Sequence, residues 1–374
     1  MTFLILSHVS HVQQQNHYFA YAPYVREMNV WIKPVDRVII VAPLRMSPKT
    51  AIEIHYEHEN IALIPVERFD VLNLKAALRS LYKIPRISWH IFTVMRKADH
   101  IHLRCPGNIG LLGCFLQILF PRKTKTAKYA GNWDPKARQP WSYRLQQWIL
   151  ANTFLTRNMQ VLVYGEWEGS SQNIKPFFTA TYREADKLPI LPRELNGAIH
   201  FVYVGTLVKG KNPLYAIQLV EALHMKGQHV TLTLYGEGIE RESLEEYLSL
   251  HNLENIVVLK GNQTQAVIQA AYQQSHFVVL ASESEGWPKA IAEGMFWGCV
   301  PLATAISCVS YMLDYGDRGL LLTMDLEKDV LQIEVLLANE GEYQRKVIKG
   351  SDWSRHYTMD VFEEEVKKLL ESSR

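Results

Sequence analysis

The chain is short of several features that would place it in a class at once. Its four cysteines, Cys105, Cys114, Cys299 and Cys308, form no Cys-x-x-Cys pair and have no histidine-rich neighbour. A zinc site and a disulfide framework are therefore both unexpected. No uninterrupted apolar run approaches the roughly 18 residues of a membrane span. No short Asp-x-Asp metal signature follows a strand-like run, and neither a short-period repeat nor a low-complexity tail is present. Excess charge of one sign is also missing: the net charge is +2 and the pI about 8.2, too mild a balance to suggest nucleic acid. The opening MTFLILSHVSHVQQQ has four apolar residues in a row and no basic lead, so it reads as a first β-strand instead of a signal peptide. The expectation is a cytoplasmic protein, at most peripheral to the inner face of a membrane.

What is present is apolar patterning on a large scale. The chain has 374 residues, 48% of them hydrophobic, which suits two domains with a proper core each. Short apolar runs alternate with helical patterns, the mark of parallel sheets covered by helices. In the first half, strands are expected at Thr2 to Leu6, Val38 to Ala42, Ile61 to Pro65, His100 to Arg104, Ala127 to Ala130 and Val161 to Tyr164. Helices are expected at Tyr18 to Asn29, Leu72 to Tyr82 and Ser142 to Ala151. READKLPILPREL, Arg183 to Leu195, reads as a linker. A second set of strands follows: HFVYVG, VTLTLYG, NIVVLKG, HFVVLA, CVPLAT and GLLLT. Two α/β units in series fit a two-lobed enzyme with a cleft. The spacing predicts domains over residues 1–190 and 191–355, then a last helix, Met359 to Leu370, whose apolar stripe of Val361, Phe362, Val366 and Leu369 needs a surface to cover.

One run departs from the even charge. PRKTKTAK, residues 121–128, holds four cations and no carboxylate. It reads as a solvated loop or, more sharply, as a contact for an anionic membrane.

The strongest local signal is HFVVLASESEGWPKAIAEGMFWGCVPLAT. An apolar strand ends at Ala281, a polar loop carries Glu283 and Glu285, and Pro288 stands where a helix would begin. The free N–H groups and the positive end of that helix would favour a phosphate. Glu285 lies just ahead of the helix. Glu293, the only charge in an apolar stretch, lies about one and a half turns in. Two carboxylates near a phosphate site suit hydroxyl groups of a ribose and a sugar. A glutamate that merely faces water is the plainer alternative, and it fits the apolar flanks of Glu293 poorly.

The pattern Glu, Gly, aromatic, Pro, then Glu, Gly-Met and Gly-x-Pro resembles the nucleotide-sugar site of glycosyltransferase family 4, the glycosyl transferases group 1 proteins. VGTLVKGKNPLYAIQLVEAL, LTLYGEGIERESLEEYL and NIVVLKGN match further units of that family in the same order. The resemblance implies the GT-B fold: two Rossmann-like doubly wound domains facing across a cleft, the donor in the second, the acceptor largely in the first, and the last helix (residues 356–374) returning to the first. It implies that Glu293 holds ribose hydroxyls, that Glu285 contacts the transferred sugar, and that Lys211 binds the diphosphate. Gly205, Thr206, Gly286, Trp287 and Pro288 would line the donor, with the backbone of Lys260 and Gly261 at the base. Thr206 stands where the family usually has an arginine, so one phosphate cation is missing or supplied by Lys209.

The first half resembles the family less. The usual glycine-rich pair after the first strand is absent, and His8, His11, Asn16 and Tyr18 stand nearby. Arg104 aligns with the family's mid-domain histidine and would meet the leaving phosphate or an acidic acceptor. His102, two residues earlier, points to the same side. Asn132, Trp133 and Asp134 end the next strand, with Trp133 either stacked on a sugar or packed in the core. Gly236-x-Gly238 lacks the rest of a dinucleotide fingerprint and reads as a tight turn.

By the resemblance the reaction transfers a sugar from a nucleoside-diphosphate sugar to a hydroxyl of a glycan or lipid-linked acceptor, retains anomeric configuration, and needs no metal or other cofactor. Surface polysaccharide or lipopolysaccharide assembly in a bacterium is the implied setting. Three alternatives stay open: a catalytically silent partner subunit on the same fold, a sugar phosphorylase, and a nucleotide-sugar epimerase. Hydrolysis is disfavoured, because two carboxylates on one loop–helix unit cannot flank a scissile bond.

Overall fold

The computed structural model describes residues 1–50, 52–69, 82–191 and 193–371. It divides into two compact units, Met1–Phe178 with Phe362–Arg374, and Thr179–Val361. The stretch at residues 183–195 lies inside the second unit. No described helix is long and apolar enough to cross a membrane.

The first unit runs β1 (Thr2–Leu6), β2 (His11–Gln14), β3 (His17–Tyr21), α1 (Ala22–Ile32), β4 (Arg37–Ala42), β5 (Leu44–Arg45), β6 (Glu53–His55) and β7 (Ile61–Pro65). It continues with α2 (Lys83–Lys97), β8 (His100–Cys105), α3 (Asn108–Leu116), β9 (Thr124–Tyr129), α4 (Trp141–Ala151), β10 (Met159–Tyr164) and β11 (Ile174–Phe177). Seven of these strands form a parallel sheet in the order β11-β10-β9-β8-β1-β4-β7. The helix expected at Leu72 to Tyr82 falls almost wholly outside the described residues.

A four-stranded sheet, β5-β2-β3-β6, was not foreseen. The helix expected from Tyr18 begins only at Ala22, after a strand. Pro23 explains the start, because proline is tolerated in the first turn of a helix and not farther in.

The second unit carries β12 (Ile199–Val204), α5 (Pro213–Met225), β13 (Val230–Tyr235), α6 (Arg241–His251), β14 (Val257–Gly261), α7 (Gln265–Gln274), β15 (Phe277–Leu280), α8 (Lys289–Phe296), β16 (Val300–Thr304), α9 (Val309–Met312), β17 (Leu320–Leu322), α10 (Leu326–Leu337) and α11 (Glu340–Ser354). Its sheet is parallel in the order β14-β13-β12-β15-β16-β17. Every strand expected in this half is present. The central strands β15 and β16 read as nearly continuous apolar runs because helices cover both faces of a parallel sheet there, whereas β13 alternates and β14 is partly exposed. The last helix, α12 (Met359–Glu371), presents Phe362 to Phe177 and Phe178 of the first unit, with ring centroids 5.5 and 5.8 Å apart.

Each sheet reverses strand order beside its first strand: between β1 and β8 in the first unit, and between β12 and β15 in the second. In open α/β sheets the crevice outside the carboxyl ends at such a point is where ligands bind.

Candidate active site

At the second unit's switch point, two loops are tied together. The loop after β12 ends in a 3-10 turn, Lys209–Lys211, and then Asn212, which adopts a left-handed conformation (φ 45°) before Pro213 opens α5. Asparagine tolerates that conformation better than most residues. Its Nδ2 donates to the carbonyl of Ala281 (2.9 Å), and the N–H of Glu283 donates to the carbonyl of Gly210 (2.9 Å). Across these struts Lys211 Nζ makes an ion pair with Glu285. The lysine side chain is 29% exposed and the carboxylate 10%, so the pair is reachable from solvent without lying flat on the surface.

The loop after β13 presses on the same region. A Cβ on Gly236 would come within 1.9 Å of the Gly205 carbonyl oxygen, and one on Gly238 within 2.1 Å of the Leu207 carbonyl oxygen. The two glycines therefore mark a backbone-to-backbone approach, closer than a tight turn alone requires. Thr206 is exposed, and its carbonyl accepts from Tyr203 OH (3.1 Å).

Helix α8 begins beside this loop pair, with Pro288 as its N-cap. The Gly286 carbonyl accepts from Ser307 Oγ (3.3 Å), and Trp287 is buried against Trp353, stacked at 6.1 Å. Glu293 belongs to a different group of contacts from Glu285. Thr181 Oγ1 donates to its Oε1 (2.6 Å) and Tyr272 OH to its Oε2 (3.4 Å). A small cavity of about 20 Å³ beside it is lined by Thr181, Tyr182, Trp287, Glu293, Phe296 and Tyr357 among others. Burial and the neighbouring Glu293 charge hold the Tyr272 phenol well above its ordinary pKa. Lys260 is exposed at the end of β14; its carbonyl accepts from Gln263 (2.8 Å), and the Gly261 carbonyl accepts from the Gly236 N–H (2.9 Å).

Residues of the first unit stand differently from expectation. Arg104 Nη1 donates to Glu27 Oε1 at 2.6 Å, and Lys128 Nζ lies 3.1 Å from the same oxygen. The Arg104 and Glu27 side chains are only 11% and 5% exposed. Burial would raise the Glu27 carboxyl, but the two cations outweigh it and hold it down to about 2. Arg104 thus has its charge engaged inside the unit.

His102 does point to the same side as Arg104, as strand alternation requires. That side is covered by α1, so His102 is fully buried: its Nδ1 meets Thr126 Oγ1 at 2.8 Å, and its ring lies 4.6 Å from Trp31. His11, expected to line the cleft, is instead sealed in β2, stacked on Tyr56 with Nε2 2.7 Å from the phenol oxygen. Burial lowers its pKa to about 4. Trp133 takes the packing alternative, edge-on to Tyr129 at 4.9 Å and 6% exposed. Asn132 stays half-buried, its side chain accepting from the Asp134 N–H (2.9 Å).

The basic run at residues 121–128 is not a solvated loop: of its four cations only Arg122 is exposed. Strand β9 starts at Thr124, so Lys125 and Lys128 lie inside it on opposite faces. Lys125 Nζ donates to the carbonyl of Phe120 (3.0 Å), and burial lowers its pKa to about 8. Lys128 Nζ donates to the carbonyl of Phe178 (2.9 Å), and Lys123 Nζ to that of Arg96 (2.9 Å).

Sequence reasoning missed Glu27, Thr181 and Tyr272. The nearest of them to its partner is Tyr272, 21 residues from Glu293, and nothing local marks any of the three.

Comparisons with known proteins bear on the family of the second unit and on the fold. Residues 193–352 match the family described as glycosyl transferases group 1. No curated protein sequence matches the chain. Among solved structures the chain is similar to the lipopolysaccharide outer core galactosyltransferase WaaB in its apo form, at 16% identity, TM-score 0.70 and full coverage of both chains. It is similar to Anabaena Alr3699/HepE in complex with UDP and glucose, at 14% identity, TM-score 0.69 and 99% of each chain. It is also similar to the sucrose-phosphate synthase of Thermosynechococcus elongatus, at 15% identity and TM-score 0.67, over 99% of this chain and 98% of that one. At such identities the likeness speaks for the fold. The chain has the GT-B fold, and within its second unit residues 193–352 match the glycosyl transferases group 1 family.

Proposed function

We propose that the chain transfers a sugar from a nucleoside-diphosphate sugar to a hydroxyl of a glycan or glycolipid acceptor, with retention and without a metal ion, in the assembly of a bacterial surface polysaccharide or lipopolysaccharide. The observation that carries this reading is the Lys211–Glu285 pair at the second unit's switch point. A diphosphate needs cations and positive dipoles around its oxygens, and Lys211 with the amino end of α8 supplies both. Glu285 has no use as a phosphate ligand. In the free chain it neutralises Lys211. When a donor enters, the lysine passes to the diphosphate, and the freed carboxylate accepts hydrogen bonds from the sugar. Glu293 is the ribose ligand in this reading, and the Thr181 hydroxyl is the group that the ribose displaces.

In the chemical step the bond from the anomeric carbon to the diphosphate oxygen breaks as the acceptor oxygen bonds to the same face of the sugar. The acceptor proton passes to the departing phosphate oxygen, so no protein base is required. Lys211 meets the charge that grows on that oxygen. Support for a uridine donor is that HepE was solved with UDP.

The test is a thermal-shift series with UDP, GDP and ADP, followed by transfer assays with sugar nucleotides of the base that raises the melting point. Release of nucleoside diphosphate only with an acceptor, an unchanged anomer in the product by NMR, and indifference to EDTA are expected. Binding of a nucleoside diphosphate with no transfer from any donor would replace this reading with that of a silent subunit.

A further inference from the structure

Charge is segregated in the first unit far more than the net value suggests. Residues 83–158 contain 13 lysines and arginines against two acids, while the rest of the chain has 27 against 36. Both acids are occupied: Asp99 accepts from the Thr2 N–H and Asp134 from the Lys136 N–H. Helices α2, α3 and α4 come from this segment and pack side by side on one face of the sheet, their inner residues in one core cluster.

Their outer surface is apolar where a solvated layer would be polar. Trp89 is 65% exposed, Leu119 62%, Trp148 60% and Phe154 71%, with Phe115 exposed between them. Arg86, Arg96, Lys97, Arg122, Arg144 and Arg157 are exposed on the same segment. Tryptophan and phenylalanine among arginines is the composition that settles at a lipid headgroup boundary: the rings enter the interface while the cations meet anionic headgroups.

We infer that the outer face of α2, α3 and α4 is where the first unit docks on an anionic lipid surface. This goes beyond the transfer reading and does not depend on it. A second copy of the chain is a poor occupant, because an isologous contact would set like charges against each other. Nucleic acid fits less well, since leucine and phenylalanine tips gain nothing from phosphates. The basic run at residues 121–128, whose lysines bond inward, plays almost no part; only Arg122 joins the face.

The test is co-sedimentation of the full chain with vesicles of phosphatidylcholine alone and of an equal mixture with phosphatidylglycerol. Binding to the mixed vesicles only, lost in high salt, is expected. Trp89→Ala with Trp148→Ala should lower that binding about tenfold. Arg96→Glu with Arg144→Glu should lower it at least as much, each exposed cation contributing about fivefold. All four positions are exposed, and an unchanged circular-dichroism spectrum and melting temperature check that the variants fold. Equal binding to both vesicle types, no binding to either, or a dimer that the tryptophan variants dissolve would each overturn the inference.

Discussion

The two units put a cation beside the same topological point and treat it in opposite ways. At the carboxyl edge of the second sheet, Lys211 is paired with one carboxylate and stays part-exposed. In the first, Arg104 is enclosed with Glu27 and Lys128, and their side chains are almost lost to solvent. A cation that is to exchange partners with an incoming diphosphate must keep contact with water. One sealed with its counter-ion has its desolvation cost met by that counter-ion alone. Topology delivers the charge to the strand end, and burial decides whether a ligand can use it. In the proposed reading the second unit is built to exchange, whereas the first is built to hold.

The largest effect should come from breaking the sealed group. Glu27→Gln leaves two buried cations without their shared carboxylate and is expected to cost about 3–5 kcal/mol of stability. Chemical denaturation should show the loss in the first unit's transition. Glu285→Gln, by contrast, should cost at most about 1 kcal/mol, because its partner is part-exposed. Equal losses from the two substitutions would erase the distinction.

Next in size is Lys211→Ala. If Lys211 meets the leaving diphosphate as proposed, losing it should lower turnover about 100- to 1000-fold, with a smaller change in donor affinity. Steady-state kinetics with a matched donor separates the two. A variant with full turnover would put the diphosphate elsewhere.

Acid should also tell the units apart. In the first, burial lowers the pKa of His11 and His100 to about 4 and holds that of His102 well below its ordinary value. In the second, His276 is lowered likewise to about 4. A histidine held neutral in the folded state binds its proton only after unfolding, so stability falls as pH drops from about 6.5 towards 4. Glu27 acts lower: its stabilisation is complete above its ordinary 4.5 and is lost as pH falls from there towards about 2. Among the described residues the first unit carries four histidines with lowered pKa, His8 included, against His200 and His276 in the second, so it should lose protection first. Hydrogen exchange read by mass spectrometry between pH 6.5 and 4.5 would show this. Simultaneous loss in both units would contradict it.

How much could be read in advance follows the same division. FVVL and VPLA announce themselves as strands because burial on both faces leaves no polar position in them. The loop–helix unit with Glu285, Pro288 and Glu293 was visible because its residues are close in sequence. Strands β2 and β3 were hidden in a short polar stretch, HVQQQNHYFAY, whose apolar positions also suit a helix up to Pro23. The fates of Lys128 and Arg104 depend on Glu27, 77 residues before the arginine, and no local pattern shows which helix will cover a strand. Thr181 meets Glu293 across 112 residues and was equally out of reach.

The smallest difference concerns one glycine in each unit, both inside a helix that packs on its sheet. A Cβ on Gly294 would stand 2.5 Å from Val278 Cγ1 and 2.9 Å from Val278 Cβ. Valine is branched at Cβ and held in one rotamer on a buried strand, so it cannot yield. A Cβ on Gly113 would stand 2.9 Å from the methyl tips of Leu103 and Leu6, which can turn aside. Alanine is also the better helix former by about 1 kcal/mol. Gly113→Ala should therefore be neutral or slightly stabilising, whereas Gly294→Ala should lose about 1–3 kcal/mol to overpacking. Because Gly294 follows Glu293 on α8, its variant should also weaken the thermal shift produced by nucleoside diphosphate. If Gly294→Ala melted like the parent while Gly113→Ala did not, the close packing of α8 on β15 would be the wrong reason for the glycine.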